Sequence, residues 1–248
     1  MDLISFFRNL HSLAATANDG LVFPTSLGDH RNKDCAIVGN GGVLLDFTDG
    51  PAIDAHDVVI RCNQTSLKKY SAHTGTRTDI RIVNSHFFTA LKGVKPPSNK
   101  DFISHLKAVL PKFDPEFLYT LSNEILISKC GTEFDWLQNE VSRICSNNNL
   151  VTELNPSFYA FANSLISPSE LSPDGLTHAT NGFIAILLGL KFFKSVSIFG
   201  FGFYKETKKH YFQTINEELD VGVRCHNNHS EEVFCRDLYA NKLIGGRL

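Results

Sequence analysis

Closely spaced cysteines are missing from this sequence, and their absence argues against the commonest structural metal centres. The chain has six cysteines among 248 residues, and no two of them form a Cys-x-x-Cys pair. Structural zinc sites usually draw their thiolates from such pairs, so we do not expect a zinc site. Six cysteines are also too few for a small disulfide-held scaffold, so disulfides are possible but the fold does not require them.

Long apolar runs are also lacking. The longest strongly apolar stretch, from Phe183 to Phe193, contains Gly189 and Lys191 and is about half as long as a bilayer-spanning helix. At the N-terminus an acidic second residue, together with Arg8 and His11 among the apolar residues, makes a poor signal peptide. We therefore expect a chain with no membrane span and no clear export signal.

There is no excess of either charge. Lysine and arginine number 24 and aspartate and glutamate 26, giving a net charge of -2. Such a balance argues against a nucleic acid or an anionic membrane as the main partner. With 42% hydrophobic and 20% charged residues, the chain has the composition of a packed globular protein.

Short β-branched segments alternate with helical ones along the chain. The apolar residues of each strand candidate run almost continuously, as in strands buried on both faces of a parallel sheet. Two segments have the apolar content or spacing of helices. The alternation favours an α/β fold with a largely parallel sheet. The strand candidates start at Cys35, Asp57, Asp79, Ile125 and Ser195, and the helix candidates are 181–193 and 231–243, with further helices expected near 103–110 and 132–145.

Glycine-rich turns follow two of the predicted strands. Gly39-Asn40-Gly41-Gly42 follows the first strand and suits a nucleotide phosphate or ribose, because glycines let backbone N–H groups approach closely. The spacing is not Gly-x-Gly-x-x-Gly and no P-loop lysine follows, so a tight turn without a ligand fits equally well. Thr180-Asn181-Gly182 can equally be a helix cap, and Gly200 and Gly202 a plain turn.

A longer pattern includes the first of these turns. The run from Cys35 to Thr78 resembles the large sialylmotif of the eukaryotic-type sialyltransferases. The shared elements include CAIVGNGG, IDAHD, the Arg61-Cys62-Asn63 segment and GTRT, and they align without a gap.

Three further segments resemble the remaining motifs of that family, in the family's order. Thr180 to Gly202 is similar to the small sialylmotif. His210-Tyr211-Phe212-Gln213 is similar to the third motif, and His226 to Glu231 to the very small motif. Each short motif is weak by itself, and their common order is what makes the resemblance specific.

Two positions depart from the family pattern. The family's first large-motif cysteine pairs with a cysteine of the small motif, and here the matching residues are Cys35 and Phe193. Thr180 and Asn181 replace the family's Ser-Thr, with hydrogen-bonding capacity kept at both positions. The first departure implies that packing, not a disulfide, holds the two motifs together.

The resemblance implies an inverting, metal-independent enzyme that moves sialic acid from CMP-sialic acid to a hydroxyl of an acceptor glycan. No cofactor is implied, and the sequence has no Asp-x-Asp of the kind that metal-dependent transferases use. The implied fold is a single Rossmann-like domain with a mainly parallel sheet flanked by helices, a GT-A-like variant. It would occupy residues 34–248, after a helix and loop in residues 1–33.

The resemblance also implies a role for individual residues. His226 would be the base that takes the acceptor proton, because histidine titrates near neutral pH. His210 would face the departing phosphate or the sugar carboxylate. Glu231 would orient a neighbouring segment. The residues expected to bind the donor are Asn40, Gly41, Asn63, Thr180, Asn181, Gly182, Gly202 and Tyr211.

Several readings remain open at this point. CMP-activated Kdo or Kdn could replace sialic acid, or the chain could be an inactive homologue that binds a CMP-sugar or a glycan. Outside the resemblance, His210 fits an ordinary surface residue, and His226 with His229 fits a solvated loop or a chance metal-binding patch. A dinucleotide oxidoreductase is disfavoured, because the second strand ends without an acidic residue.

The compartment is also open. The resemblance implies the Golgi lumen. The unmatched Cys35 and the sequons at Asn63 and Asn228, where glycans would block the implied site, favour the cytoplasm as the alternative.

Overall fold

A computed structural model describes residues 2–16, 29–63, 65, 67–84, 124–129, 151–167, 178–202, 211 and 226–247. Seven strands in these residues form one sheet, and every strand pairing in it is parallel. The sheet order is β5-β4-β3-β2-β1-β6-β7. The strands are β1 (Asp34–Val38), β2 (Val58–Cys62), β3 (Ile80–Val83), β4 (Ile125–Ser128), β5 (Val151–Glu153), β6 (Ser195–Phe199) and β7 (Gly245–Gly246).

The central strands are buried on both faces, which explains why their sequences are mostly apolar on both sides, with Arg61 and Arg81 as the charged exceptions. All residues of β2, β3 and β4 are buried, as are four of the five in β1. The strands predicted from the sequence at these positions and at β6 are confirmed. The short strands β5 and β7 were not predicted, since three residues and a glycine pair carry no recognisable alternation.

Helices cover one face of the sheet with the larger hydrophobic core. The central helix, α5, buries eight of its twelve residues, and the prediction of a buried helix at this position is confirmed. Phe6, Phe158 and Leu238, from three flanking helices, lie in the same core. Each fully buried side chain of this size stabilises the fold by about 1.5–3 kcal/mol. The α-helices of the described residues are α1 (Leu3–Ser12), α2 (Gly50–Asp54), α3 (Ser71–Thr74), α4 (Pro156–Ser164), α5 (Asn181–Phe192) and α6 (Asn228–Ala240).

The last helix is displaced from its predicted range. Helix α6 begins before Glu231 because the side chain of Asn227 accepts a hydrogen bond from the Ser230 nitrogen at 3.0 Å and caps the helix there. It ends at Ala240, and Lys242 has a positive φ of 58°. The helices predicted near 103–110 and 132–145 lie outside the described residues.

The opposite face of the sheet combines a smaller apolar cluster with two buried arginines. Arg61 donates to the carbonyls of Thr74 and Arg77, at 2.6 and 2.9 Å, and so ties the segment after α3 to the sheet. Burial lowers the pKa of Arg61 to about 10. Arg81 forms a buried ion pair with Glu124, with N–O distances of 2.5 and 2.7 Å.

The strand order creates a crevice at the carboxyl ends of β1 and β6. From β1 the chain adds strands outward to β5, and it then returns to place β6 on the other side of β1. Loops leaving two such neighbours diverge, and open parallel sheets bind ligands at this point. Within the described ranges, no helix has the length and apolarity needed to cross a membrane.

Candidate functional site at the carboxyl ends of the strands

The two glycine turns that follow β1 and β6 contact each other before their loops diverge. The Gly39 nitrogen donates to the Phe199 carbonyl at 2.8 Å, and the Gly41 nitrogen donates to the Gly200 carbonyl at 3.0 Å. A β-carbon on Gly41 would lie 2.6 Å from the Gly200 oxygen, and Gly200 itself has a φ of +74°. These glycines therefore first serve the close approach of two loops, which was one of the two readings of the sequence.

Asparagines from four elements meet beside this contact. The side-chain nitrogen of Asn40 donates to the Cys62 carbonyl at 3.0 Å. The next residue, Asn63, has a positive φ of 48°, and its Oδ1 accepts from Asn181 Nδ2 at 3.0 Å and from the Asn84 nitrogen at 3.1 Å. The ends of β1, β2 and β3 and the start of α5 are thus joined through amide groups.

This network fixes the orientation of two amide side chains. Asn181 Nδ2 also donates to the Ile82 carbonyl at 3.3 Å, so the Asn181 oxygen must point the other way. That oxygen is buried and has no hydrogen-bond partner among the described residues. An unsatisfied buried acceptor costs about 1–3 kcal/mol, which a ligand hydroxyl or amino group would offset. Asn63 keeps its Nδ2 group available as a donor, since its oxygen accepts both bonds.

The N-terminus of α5 is capped by the side chain of Thr180, which is in turn held by Glu231 of α6. Thr180 Oγ1 accepts from the Phe183 nitrogen at 3.1 Å. The Glu231 carboxylate accepts from the Thr180 nitrogen and hydroxyl, at 2.8 and 2.7 Å. Burial raises the pKa of Glu231 to about 7. Gly182 lets the Phe201 ring pack closely, since a β-carbon there would lie 2.8 Å from that ring and the ring would have to shift.

His226 lies just before α6, close to the same helix N-terminus. Its Nδ1 is hydrogen-bonded to the His178 carbonyl oxygen at 2.5 Å. A carbonyl oxygen only accepts, so Nδ1 carries the proton and the lone pair of the neutral ring lies on Nε2. This tautomer suits a base that acts through Nε2.

The third motif is attached to the first glycine turn. Tyr211 is buried, its nitrogen donates to the Asn40 carbonyl at 2.9 Å, and its ring packs edge-on against Tyr70 at 5.2 Å. His210, the residue before it, lies outside the described residues. Gly202 adjoins Gly41, where a β-carbon would come within 3.2 Å of the Gly202 nitrogen.

The structure brings most of the sequence-predicted site residues to one edge of the sheet. Hydrogen bonds link Asn63 with Asn181 and join Tyr211 to Asn40. Sequence reasoning missed Asn84, although it directly follows a buried strand, as Asn63 does. It missed His178 as well, which lies in a segment without recognisable periodicity.

A cavity of about 230 Å³ borders the glycine contact at Gly200 and Phe201. Its lining includes Arg247, which pairs with Asp49 at 2.6 Å and lies 4.2 Å from the centre of the Phe47 ring.

In the described ranges, no three His, Cys, Asp or Glu side chains are grouped as metal ligands.

The described cysteines are free thiols. Cys35, Cys62 and Cys235 are buried and unbridged. Burial raises the pKa of Cys62 to about 12, and it also raises the pKa values of the other two thiols above the usual value. Phe193, at the position of the family's partner cysteine, is buried in the larger core, as expected for motifs held together by packing.

Comparison with known proteins agrees with the resemblance found in the sequence. The family model described as glycosyltransferase family 29 (sialyltransferase) matches residues 5–243. A mouse type 2 lactosamine α-2,3-sialyltransferase is 28% identical over 221 residues, which cover 86% of this chain and 64% of that protein. An Arabidopsis thaliana β-1,6-galactosyltransferase is 26% identical over 243 residues, covering 96% of this chain and 57% of that protein.

The fold has a counterpart among solved structures. A crystal structure of a mammalian sialyltransferase superimposes with a TM-score of 0.60 at 17% identity, covering 99% of this chain and 80% of that chain. The predicted α/β fold with a parallel sheet flanked by helices is confirmed. The chain spans about three fifths of the length of the two relatives named above.

Proposed function

The chain belongs to glycosyltransferase family 29, and we propose that it is an inverting transferase that moves sialic acid from CMP-sialic acid to a hydroxyl of an acceptor glycan. The observation that carries this proposal is the His226 ring, held in the Nδ1–H tautomer beside the N-terminus of α5. A base and an anion-favouring helix end are the two groups that displacement of a nucleotide phosphate requires.

His226 takes the proton from the acceptor hydroxyl in this proposal. Nε2 receives the proton as the acceptor oxygen attacks the anomeric carbon and the bond to the CMP phosphate breaks. The His178 carbonyl stabilises the resulting imidazolium, because it already accepts the Nδ1 hydrogen. A positioned general base of this kind contributes about 10²- to 10⁴-fold to the rate.

The donor nucleotide binds along the asparagine network and the N-terminus of α5. Asn63 offers its Nδ2 donor and Asn181 its unsatisfied oxygen. Thr180, whose own N–H donates to Glu231, caps the N-terminus of α5, where the helix dipole and the N–H groups of Asn181 and Gly182 favour a phosphate. Asn40, Gly41, Gly202 and Tyr211 shape the adjoining turn. We also propose that His210, the residue before Tyr211, faces the departing phosphate and stabilises its negative charge.

Transfer of galactose is the second candidate. It is favoured by the Arabidopsis thaliana galactosyltransferase, which matches nearly the whole chain. CMP-Kdo or CMP-Kdn as donor, and an inactive CMP-sugar-binding protein, are the further alternatives. The Golgi lumen is the compartment that we propose for the sialyltransferase, with the cytoplasm as the alternative.

The test is release of the nucleotide in the presence of acceptors. Purified protein is mixed without metal with CMP-sialic acid, CMP-Kdo or UDP-galactose and a panel of galactose-, GalNAc- and sialic acid-terminated glycans. The panel includes galactosyl-β-1,3-GalNAc, the disaccharide of the ligand in a similar mammalian sialyltransferase structure. We expect acceptor-dependent release of CMP from CMP-sialic acid.

Two histidine variants make the test specific. His226→Ala should lower acceptor-dependent release at least 100-fold while donor binding persists. His229→Ala, three residues away on an exposed position, should leave release unchanged. Release only from UDP-galactose supports the second candidate, and equal donor binding without release in all three proteins supports the inactive homologue.

A further inference from the structure

The segment from His178 to Thr180 connects the base to the donor-binding helix. The His178 carbonyl accepts from His226, and Thr180 caps α5. Its conformation therefore sets the position of the base relative to the helix N-terminus. Ala179 is fully buried in the larger core and the His178 ring stacks on Tyr159 at 6.4 Å, and hydrogen bonds then fix the backbone between them.

Each of the two peptide groups in this segment is hydrogen-bonded at both ends. In the first, the His178 carbonyl accepts from His226, and the Ala179 nitrogen donates to Asn163 Oδ1 at 2.8 Å. In the second, the Ala179 carbonyl accepts from Lys129 Nζ at 2.6 Å, and the Thr180 nitrogen donates to Glu231 at 2.8 Å. A peptide held at both ends cannot rotate without breaking two bonds.

The four partners come from three parts of the fold, since His226 and Glu231 both lie at the start of α6. Asn163 lies in the last turn of α4, Lys129 directly follows β4, and Glu231 lies in the first turn of α6. Lys129 Nζ also lies 5.0 Å from the centre of the Tyr159 ring, and the Tyr159 hydroxyl is hydrogen-bonded to His178 Nδ1 at 2.9 Å. Hydrogen bonds from α4, from the end of β4 and from the start of α6 thus position the segment.

We propose that Asn163 is a positioning residue for His226 and acts through the peptide group between His178 and Ala179. The Asn163 oxygen polarises the N–H of that peptide, which strengthens its carbonyl as an acceptor for the Nδ1 hydrogen of His226. Asn163 holds the ring in its tautomer much as a third residue orients the histidine of a hydrolytic triad, but through a peptide group. Lys129 fixes the orientation of the next peptide group by donating to its carbonyl, that of Ala179. This inference rests on the proposed role of His226.

The contribution of Asn163 can be isolated with a matched pair of variants. Asn163→Leu removes the acceptor at similar size, and Asn163→Asp restores an oxygen at the same place. We expect Asn163→Leu to lower kcat about 10- to 100-fold, the usual effect of losing a group that orients a functional histidine. The KM for the CMP-sugar donor should stay within about twofold, and Asn163→Asp should recover most of kcat.

A double-mutant cycle separates positioning from general damage. In the His226→Ala background, Asn163→Leu should cause no further loss of kcat, because the residue through which it acts is gone. A second, independent loss of kcat in that background, or no loss in the wild-type background, would overturn the proposal.

Nitrogen NMR of histidine-labelled protein gives a readout that does not depend on catalysis. The wild type should show His226, assigned by comparison with His226→Ala, protonated on Nδ1 in its neutral form. Asn163→Leu should move population toward the Nε2–H tautomer, and an unchanged tautomer would contradict the inference. His226→Ala could keep full activity while the wild-type tautomer still responds to Asn163→Leu. That result would reject His226 as the base, and it would support the coupling of Asn163 to the His226 ring through the peptide group.

Discussion

Glu231 accepts hydrogen bonds from both the nitrogen and the hydroxyl of Thr180, at 2.8 and 2.7 Å. One carboxylate thereby joins the start of α6, which follows His226, to the cap of α5, where the donor phosphate is proposed to bind. The sequence suggested that Glu231 orients a neighbouring segment, and Thr180 is the residue that it holds.

The buried Glu231 carboxyl predicts a stability that falls as the pH rises. Burial raises its pKa from 4.5 to about 7 in the folded protein. Between these values the unfolded chain loses a proton that the folded chain keeps, so the free energy of unfolding decreases with pH. The free energy of unfolding above pH 7 should therefore be about 3 kcal/mol lower than it is below pH 4.5, as far as Glu231 contributes to it.

The measurement is urea unfolding of the wild type and Glu231→Gln at several pH values between 4 and 8. The glutamine keeps an acceptor for the Thr180 nitrogen and cannot ionise. Its unfolding free energy should lack this contribution to the pH slope. Parallel slopes in the two proteins would contradict the assignment of this slope to Glu231.

Gly41→Ala should destabilise the fold through the contact between the two turns. The added β-carbon would lie 2.6 Å from the Gly200 oxygen, which is a backbone atom that cannot swing aside. We expect a loss of about 1–3 kcal/mol in unfolding free energy. Gly245→Ala is the control, since its nearest atom would be 3.6 Å away, and it should change stability by less than about 0.5 kcal/mol. Equal melting temperatures for the two variants would refute this prediction.

The buried pair of Arg81 and Glu124 should show strong coupling. Both side chains are almost completely buried, with exposures of 0% and 1%. Glu124→Gln leaves an uncompensated guanidinium and should cost about 3–5 kcal/mol, as should Arg81→Met. The double variant Arg81→Met/Glu124→Gln should lose clearly less than the sum of the two, measured by urea unfolding. Strict additivity would mean that the pair does not act as a unit.

Asn63→Asp should separate donor binding from folding. The aspartate keeps the oxygen that accepts from Asn181 and Asn84, and aspartate tolerates the positive φ at this position. It replaces the Nδ2 donor with a negatively charged oxygen beside the proposed phosphate site. We expect the affinity for CMP, measured by calorimetry, to fall at least tenfold while the melting temperature stays within a few degrees. Unchanged CMP affinity would remove Asn63 from the donor site.

Cys35 should behave as a buried thiol without a disulfide. It is fully buried and free in the structure, with a raised pKa. Alkylation by iodoacetamide followed by peptide mapping should leave Cys35 unlabelled in the folded protein and label it in urea without a reductant. Labelling of Cys35 in urea only after reduction would reveal a disulfide. Cys62 and Cys235 provide internal controls, because they are buried thiols as well.

Local chemistry determined much of the fold at the level of sequence. The strands β1, β2, β3 and β4 are rich in apolar residues at both alternating positions because both of their faces are buried. The apolar run of α5 reflects a helix that is buried nearly all round. The motif from Cys35 to Thr78 begins in β1, and the motif from Thr180 to Gly202 ends just after β6. These two strands are neighbours, so the glycine turns that follow them lie side by side. Patterns of this kind depend on burial and on chain order, which a sequence records.

Only the tertiary structure decided which polar atoms meet. No spacing indicates that Asn163 lies at the Ala179 nitrogen, or that Lys129 reaches the next carbonyl from the end of another strand. The short strand β7 has no recognisable sequence signal either. The positive φ of Asn63 also could not be predicted from the sequence; the buried Arg81 donates to the Asn63 carbonyl at 2.6 Å. Hydrogen bonds act over about 3 Å, and here they join groups such as Asn63 and Asn181 that lie far apart in the sequence, so the packing of the chain, and not its local composition, places them.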